Sequence, residues 1–125
     1  MSGRSRKQPK WHDEVDADDF EAAESYLQLI HTSKRSAKLV AALRSAKPAR
    51  FKAKDIFRAS QLSRLGISNL RVAKDRRKIR EGIPLSPILL IRDERHGRVV
   101  VADGYHRLCA VYEVNEDAWI PCRIV

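Results

Sequence analysis

The sequence predicts an α+β fold in which helices pack on a small mixed β-sheet, preceded by an N-terminal helical pair. The chain has 125 residues, and one domain of that size can bury about two-thirds of its unfolded surface. Apolar residues recur at helical spacing in the first third of the chain, whereas short aliphatic runs separated by polar reversals follow residue 80. No apolar run approaches the roughly 20 residues of a membrane span.

The first helix of the pair is predicted by an apolar face with intervals of three and four residues, formed by Phe20, Ala23, Leu27 and Ile30. Asp18 or Asp19 is expected to cap its start, where acidic groups suit the helix dipole. A second helix is predicted from about Ser36 to Ala46, with Pro48 ending it. Together these elements form an N-terminal extension over residues 13–48.

The middle of the chain predicts a short strand and then a basic helix. Weak alternation over residues 51–56 favours the strand, and Leu62 and Leu65 lie in a connecting segment. The helix is expected to run from Ser68 or Asn69 to about Glu81, with Gly82 closing it.

The last third predicts a strand, a hairpin, a helix and a final strand. Residues 88–91 form a continuous apolar run, as expected of a strand buried on both faces. A polar reversal over 93–97 leads to a partner strand at 99–101. A helix follows Gly104 to about Val114, and a strand with alternating apolar residues begins near residue 120.

Charge is distributed unevenly along a chain whose net charge is +9. Residues 1–12 are basic and polar, which predicts a disordered arm without the apolar stretch of a signal peptide. Residues 13–24 are strongly acidic, so the remainder is more basic than the whole chain. Such a surface favours polyanionic or phosphorylated partners through electrostatic steering, although a solvated surface without a specific partner explains it equally well.

The turn between the hairpin and the late helix carries the candidate site residues. Gly104 permits a positive φ and close approach of a ligand, or simply makes a tight turn. Asp103 can orient a cation or a hydroxyl group, or cap the helix. His106 can contact phosphate or carry a proton, or be an ordinary surface histidine. Arg107 offers a fork for phosphate, or pairs with a neighbouring acid.

The basic helix supplies further phosphate contacts in Arg71, Lys74 and Lys78. The four histidines are scattered, which predicts no metal site. Cys109 and Cys122 lack metal-type spacing and are expected to be core thiols in a reducing compartment, so we expect a cytoplasmic protein.

Residues 99–110 and 120–125, read together, resemble the ParB/sulfiredoxin superfamily, in which a Gly-Xaa-His-Arg or Gly-Glu-Arg-Arg turn caps a helix and holds nucleotide phosphates. The basic helix around residues 72–80 and the Pro-Leu-Ser-Pro segment before residue 88 extend the resemblance to about residues 51–125. It implies a ParB/sulfiredoxin-like domain over 49–125. The phosphate-binding residues would be Asp103, Gly104, Tyr105, His106 and Arg107.

The chain departs from the family at informative positions. Sulfiredoxins carry their catalytic cysteine between the glycine and the histidine, where this chain has Tyr105, so we expect no sulfinic acid reduction. ParB proteins carry a second arginine where His106 stands, and a helix-turn-helix domain downstream. Because the sequence ends at Val125, we expect no such DNA-reading domain. Cys109 lies among apolar residues and is expected to be an inert thiol.

Three functions are therefore considered. The first is nucleotide binding, with ATP or CTP and Mg²⁺ as ligands and hydrolysis or phosphoryl transfer as an extension, for which no catalytic residue is assigned. The second is a nucleic-acid-binding accessory module that uses the basic helix 71–80 on DNA or RNA. The third is an interaction protein whose acidic segment 13–24 masks the basic helix. Neither the preferred base nor the oligomeric state follows from the sequence.

Overall fold

A computed structural model describes residues 8–66 and 68–125 of the chain. Five α-helices and a four-stranded sheet in this part confirm the predicted α+β class. The helices span Ala17–Leu27 (α1), Ser33–Ser45 (α2), Ala53–Ser60 (α3), Leu70–Glu81 (α4) and Tyr105–Val114 (α5). The strands span Ala49–Lys52 (β1), Ile88–Asp93 (β2), Arg98–Asp103 (β3) and Trp119–Ile124 (β4). None of the helices in these residues has the length and apolar composition needed to cross a bilayer.

The sheet is mixed, with strand order β1-β4-β2-β3. β2 and β3 form the predicted antiparallel hairpin, closed by one turn of 3-10 helix over Glu94–His96. α5 then carries the chain back so that β4 lies beside β2 in parallel, with Ile88 opposite Cys122. β1 adds to the outer edge of β4 in the antiparallel sense. The sheet therefore places the end of β3 and the start of α5 at its β3 edge.

Alternate residues of β2 enter two separate apolar layers. Ile88 and Leu90 join the layer formed with α3, α4 and α5, whereas Leu89 and Ile91 join the layer formed with α1 and α2. This arrangement confirms the prediction of a strand buried on both faces. The N-terminal helical pair is thus a covering layer of the sheet, because its apolar residues have no other surface to bury against.

Local signals fixed the basic helix as predicted. The side chain of Asn69 accepts hydrogen bonds from the amides of Arg71 and Val72, which caps the start of α4. Gly82 ends the helix with φ of 72°. Val72 and Ile79 are fully buried on its inner face, whereas Arg71, Lys74, Arg77 and Arg80 are exposed.

The start of each N-terminal helix differs from the prediction. Asp16 is the N-cap residue of α1 and makes no side-chain capping bond, so neither Asp18 nor Asp19 caps that helix. Ile30 lies beyond the end of α1 and is exposed. α2 begins three residues early, because the hydroxyl of Thr32 accepts a hydrogen bond from the amide of Arg35 and caps it there.

The strand predicted over residues 51–56 is confirmed only for residues 51 and 52, and the prediction is wrong for residues 53–56. β1 ends at Lys52, and the chain turns directly into α3. The amide of Ala53 donates to the carbonyl of Ala118, which anchors the first turn of α3 against the segment before β4. Ala53, Ile56 and Ser60 are buried at helical spacing, a pattern too short and too polar to identify in the sequence.

The disordered arm predicted over residues 1–12 lies partly outside the described residues, which begin at residue 8. Its last residues are ordered. The amide of His12 donates to the carbonyl of Leu85, and the amide of Leu85 donates to the carbonyl of Lys10. Trp11 packs on the layer beneath α4 and α5, and burial of its ring outweighs the polar composition around it.

If α1 is a covering layer of the sheet, Leu27→Ala should destabilise the whole domain. Leu27 is completely buried, and we expect a loss of about 3 kcal/mol in the free energy of unfolding, measured by urea denaturation. Leu29, two residues further on, is 81% exposed and serves as the matched control, with an expected change below about 0.5 kcal/mol. Equal effects of the two substitutions would contradict this layer assignment.

Candidate functional site

The turn that joins β3 to α5 depends on Gly104. Its φ of 108° lies in the region that residues with a Cβ avoid. A Cβ atom placed there would lie 2.8 Å from Nη2 of Arg107 and 2.9 Å from Cγ1 of Ile88. The glycine therefore provides both a backbone conformation and the space into which the Arg107 guanidinium folds back.

A polar cavity of about 220 Å³ lies between α4 and this turn. Both elements contribute charged groups to its wall. The lining residues are Arg71, Lys74, Asp75, Lys78, Asp103, Gly104, His106 and Arg107. Because α4 packs against α5, the cations on one face of α4 meet the start of α5 across the cavity.

The N-terminus of α5 opens onto this cavity without a side-chain cap. Gly104 occupies the N-cap position and has no side chain to offer, and Asp103 does not cap the helix in its place. The first intrahelical bond runs from the amide of Leu108 to the carbonyl of Gly104. The preceding amides of the helix are the groups that ordinarily bind an anion at such an end, where the helix dipole also favours negative charge.

The guanidinium of Arg107 is held by oxygens from three parts of the chain. Its Nη2 lies 3.1 Å from Oδ2 of Asp103, 3.2 Å from Oδ2 of Asp19 and 3.3 Å from the carbonyl oxygen of Pro87. The Nε atom is buried and has no hydrogen-bond partner among the described residues. Of the two roles that the sequence allowed for Arg107, the ion pair with a neighbouring acid is therefore present. The same side chain still lines the polar cavity.

Two carboxyl groups of the cavity have perturbed acidities. Burial raises the pKa of Asp103 to about 6, with Arg107 opposing that effect and the carboxyl of Asp19 adding to it. Burial also raises the pKa of Asp75, against the pull of Arg107. Asp103 consequently changes charge near pH 6, and the net charge of the cavity wall changes with it.

The neighbouring ring side chains are electrically neutral at pH 7. Burial and, to a smaller extent, the charge of Arg71 lower the pKa of His106, so its imidazole is neutral. One nitrogen of a neutral imidazole donates a hydrogen bond and the other accepts one. Burial raises the pKa of Tyr105 to about 12, which makes its phenol a poor nucleophile. Burial likewise raises the pKa of the Cys109 thiol, against the reactivity of a catalytic cysteine.

All but one of the predicted site residues line the same cavity. The exception is Tyr105, which is absent from the cavity wall and instead packs edge-on against Phe57, with ring centroids 6.2 Å apart. Tyr105 starts α5 but turns toward α3, because successive helical residues point about 100° apart.

Sequence reasoning missed two acidic residues of the site. Asp75 lies one helical turn from both Arg71 and Lys78, so helical spacing could have placed it with them. Asp19 reaches Arg107 from 88 residues away, and no local pattern indicates that contact.

A larger, mainly apolar cavity of about 400 Å³ lies between α3 and the β2–β3 hairpin. Phe51, Ile56, Leu90 and Val99 form its apolar wall, and it shares no residue with the polar cavity. Its charged lining residues, Asp55, Arg92, Glu94 and Arg98, lie on different elements, and no helix of the described residues begins at its wall with an uncapped glycine.

Comparisons of the chain with protein-family models, with curated proteins and with solved structures found no match. Within residues 8–66 and 68–125, no group of three or more histidine, cysteine or acidic side chains could hold a metal ion. The chemistry of the site therefore depends on the geometry of its own residues.

Gly104→Ala should disrupt the site more than an ordinary loss of glycine would. Backbone strain and overlap with Arg107 and Ile88 together are expected to cost about 3 kcal/mol of unfolding free energy, measured by denaturant titration. Gly97 is the matched control, because its φ is also positive, at 64°, but a Cβ there meets nothing within 4 Å. Gly97→Ala should cost about 1 kcal/mol. Similar losses at both positions would show that Gly104 has no special steric role.

Proposed function

We propose that the protein binds a nucleotide through its phosphate groups in the polar cavity between α4 and the turn at Gly104. On this proposal, residues 49–125 form a ParB/sulfiredoxin-like domain. The observation that carries the proposal is the convergence of the uncapped N-terminus of α5 with four cationic side chains, Arg71, Lys74, Lys78 and Arg107.

The charge balance of the cavity favours an anion. Four cations face two carboxylates, those of Asp75 and Asp103, and His106 adds no charge at pH 7. A phosphate group in this position would gain from the positive wall and from the backbone amides at the start of α5. The neutral imidazole of His106 can donate one hydrogen bond to a phosphate oxygen.

The size of the cavity supports binding of the phosphates rather than the whole ligand. A volume of about 220 Å³ is below the roughly 300–1,000 Å³ of pockets that enclose entire small molecules. The base would therefore lie outside the described wall, so we expect little discrimination among ATP, CTP and GTP. Mg²⁺ would be coordinated mainly by phosphate oxygens of the nucleotide, with the carboxylate of Asp75 or Asp103 as a protein ligand. Mg²⁺ in such sites uses few protein groups.

The proposal covers binding and not hydrolysis or phosphoryl transfer. The phenol of Tyr105 and the thiol of Cys109 lie near the turn, but burial raises the pKa of both and neither side chain lines the cavity. Asp103 has a pKa suited to a general base, but no nucleophile for it to activate is assigned.

Removal of cations from the α4 wall should weaken phosphate binding while leaving the fold intact. Arg71 and Lys74 are both exposed, so the double substitution Arg71→Ala with Lys74→Ala should raise the Kd for pyrophosphate and for ATP about tenfold or more by calorimetry. Arg58→Ala is the control: its side chain is 86% exposed on α3, and the substitution should change the Kd less than twofold. Absence of saturable binding to the unmodified protein, with and without Mg²⁺, would refute the proposal.

Anion affinity should increase as the pH falls through the pKa of Asp103. Sulfate keeps its charge between pH 7.5 and 5.5, and protonation of Asp103 near pH 6 removes a repelling carboxylate, so its affinity should rise several-fold. Protonation of His106 and Asp75 acts in the same direction at lower pH. Asp103→Asn should bind sulfate more tightly at pH 7.5 and lose most of the rise down to pH 6. An unchanged pH profile in that variant would exclude Asp103 as its source.

The same raised pKa has a defined effect on stability. The pKa of Asp103 in the folded chain lies above the value of about 3.9 expected when unfolded, so protonation favours the folded state. The contribution of Asp103 to the free energy of unfolding is fully present below about pH 4 and is lost as the pH rises through about 6.

A nucleic-acid-binding module remains the second candidate. Arg77 and Arg80 are exposed on α4, do not line the cavity and form no ion pair within the described residues. Such cations suit a phosphate backbone, and binding by them would weaken steeply with salt. Competition distinguishes the two candidates, because a nucleic acid held by the outer face of α4 would not be displaced by saturating pyrophosphate.

A further inference from the structure

Asp19 connects the N-terminal layer to the candidate site. It lies in the first turn of α1, and its carboxylate reaches Nη2 of Arg107 at 3.2 Å. Both side chains are 16% exposed, so the pair is largely shielded from water and from salt. α1 covers the opposite face of the sheet from α4 and α5, and this contact brings it to the wall of the polar cavity.

The Nη2 atom of Arg107 has more acceptors than it can satisfy. It carries two hydrogens, whereas three oxygens, from Asp19, Asp103 and Pro87, lie within 3.3 Å of it. Asp103 belongs to the same turn as Arg107, and the Pro87 acceptor is a backbone carbonyl next to β2. Asp19 is therefore the acceptor that can leave without a change in the turn, since rotation of its short side chain is sufficient.

The position that Asp19 holds is one that a ligand would need. A carboxylate and a phosphate make the same charge-assisted hydrogen bond to a guanidinium, and Arg107 also lines the cavity. While Asp19 remains in place, it both satisfies the guanidinium and adds a negative charge beside the phosphate position. The charge of Asp19 also adds to the effect of burial in raising the pKa of Asp103, a residue of the cavity wall.

We propose that Asp19 is an internal competitor for Arg107, whose carboxylate occupies the place that a ligand phosphate takes. The inference rests on the proposed phosphate-binding function and adds its regulation. Because the two anions compete for Arg107, docking of Asp19 lowers the affinity of the cavity for phosphate. Bound phosphate weakens the docking of Asp19 by the same coupling free energy, and the first turn of α1 is then released.

The first turn of α1 is suited to such release. Its N-cap residue makes no side-chain capping bond, and the amide of Asp16 is held by the hydroxyl of Ser86 at 3.0 Å. The apolar anchors of the helix, Phe20, Ala23 and Leu27, begin only after Asp19. Loss of the Asp19 contact therefore loosens the first turn of the helix, while the Asp16–Ser86 hydrogen bond and the apolar face still hold α1 on the sheet.

The test compares Asp19→Asn with Asp18→Asn in the full chain. Both variants remove one negative charge from the first turn of α1, but Asp18 is exposed and makes no contact with Arg107. With pyrophosphate as the probe in calorimetry, Asp19→Asn should lower the Kd about tenfold, within the usual range of coupling between sites. Asp18→Asn should change the Kd less than twofold.

Hydrogen exchange on the unmodified protein provides a second measurement that needs no substitution. Saturating pyrophosphate should speed exchange of the α1 amides at residues 19–23, whereas amides of β2 should stay protected. If α1 exchanges at the same rate or more slowly with pyrophosphate bound, Asp19 is not displaced and the inference is wrong.

The outcomes separate this inference from the function on which it rests. If the unmodified protein binds pyrophosphate and Asp19→Asn binds no more tightly, the competitor role is overturned and phosphate binding stands. If the unmodified protein does not bind pyrophosphate, with or without Mg²⁺, the proposed function itself fails. Equal gains in Asp18→Asn and Asp19→Asn would assign the effect to net charge and also overturn the competitor role.

Discussion

The buried charge of Arg107 is the constraint on which the architecture of this site depends. A guanidinium with 16% exposure loses much of its hydration, and oxygens from Asp19, Asp103 and Pro87 replace the lost water. Such pairs need not add net stability, but loss of both carboxylate partners would leave an uncompensated charge, which typically costs about 3–5 kcal/mol. Arg107 therefore ties together α1, the segment before β2 and the end of β3, three segments that are distant in sequence.

This arrangement is compatible with an accessible site because Gly104 lacks a side chain. The guanidinium folds back into the space that a Cβ would fill, so the start of α5 remains uncapped and open to the cavity. The parallel pairing of β4 with β2 requires a crossover, and α5 provides it. α4 then packs on α5 and presents its cations across the gap. The same packing that completes the apolar layer thus also assembles the polar wall.

The cavity combines cations with carboxyl groups rather than forming a uniformly basic surface. Asp75 and Asp103 lie among four cationic side chains, and burial raises the pKa of both carboxyl groups. On the proposal of phosphate binding, such a site would gain its affinity for anions from a small excess of positive charge, so a single proton or a single carboxylate would have a large effect. The contact of Asp19 with Arg107 joins the N-terminal layer to the wall of this cavity, and on the proposal that Asp19 competes for Arg107 that layer would influence the site.

Most regular elements of the fold could be predicted from local patterns. Asn69 and Gly82 bound α4 through their own cap geometry, the aliphatic run from Ile88 marks the central strand, and the Asp-Gly step marks the start of α5. α3 was missed, because its start is set by hydrogen bonds to residues near 118 and not by its own spacing. The order of residues 10–12 was missed for a similar reason, since their partner is Leu85.

The sequence by itself determined which elements form and which residues of the Gly104 turn and of α4 carry charge, because capping, glycine conformation and apolar periodicity act over a few residues. Only the tertiary structure decided that Tyr105 turns toward Phe57, that Asp75 faces the cavity and that Asp19 reaches Arg107. Those outcomes depend on how α1, α4 and α5 pack on the sheet. Such packing is set by burial of apolar surface across the whole chain, and it leaves no signal in the neighbouring residues.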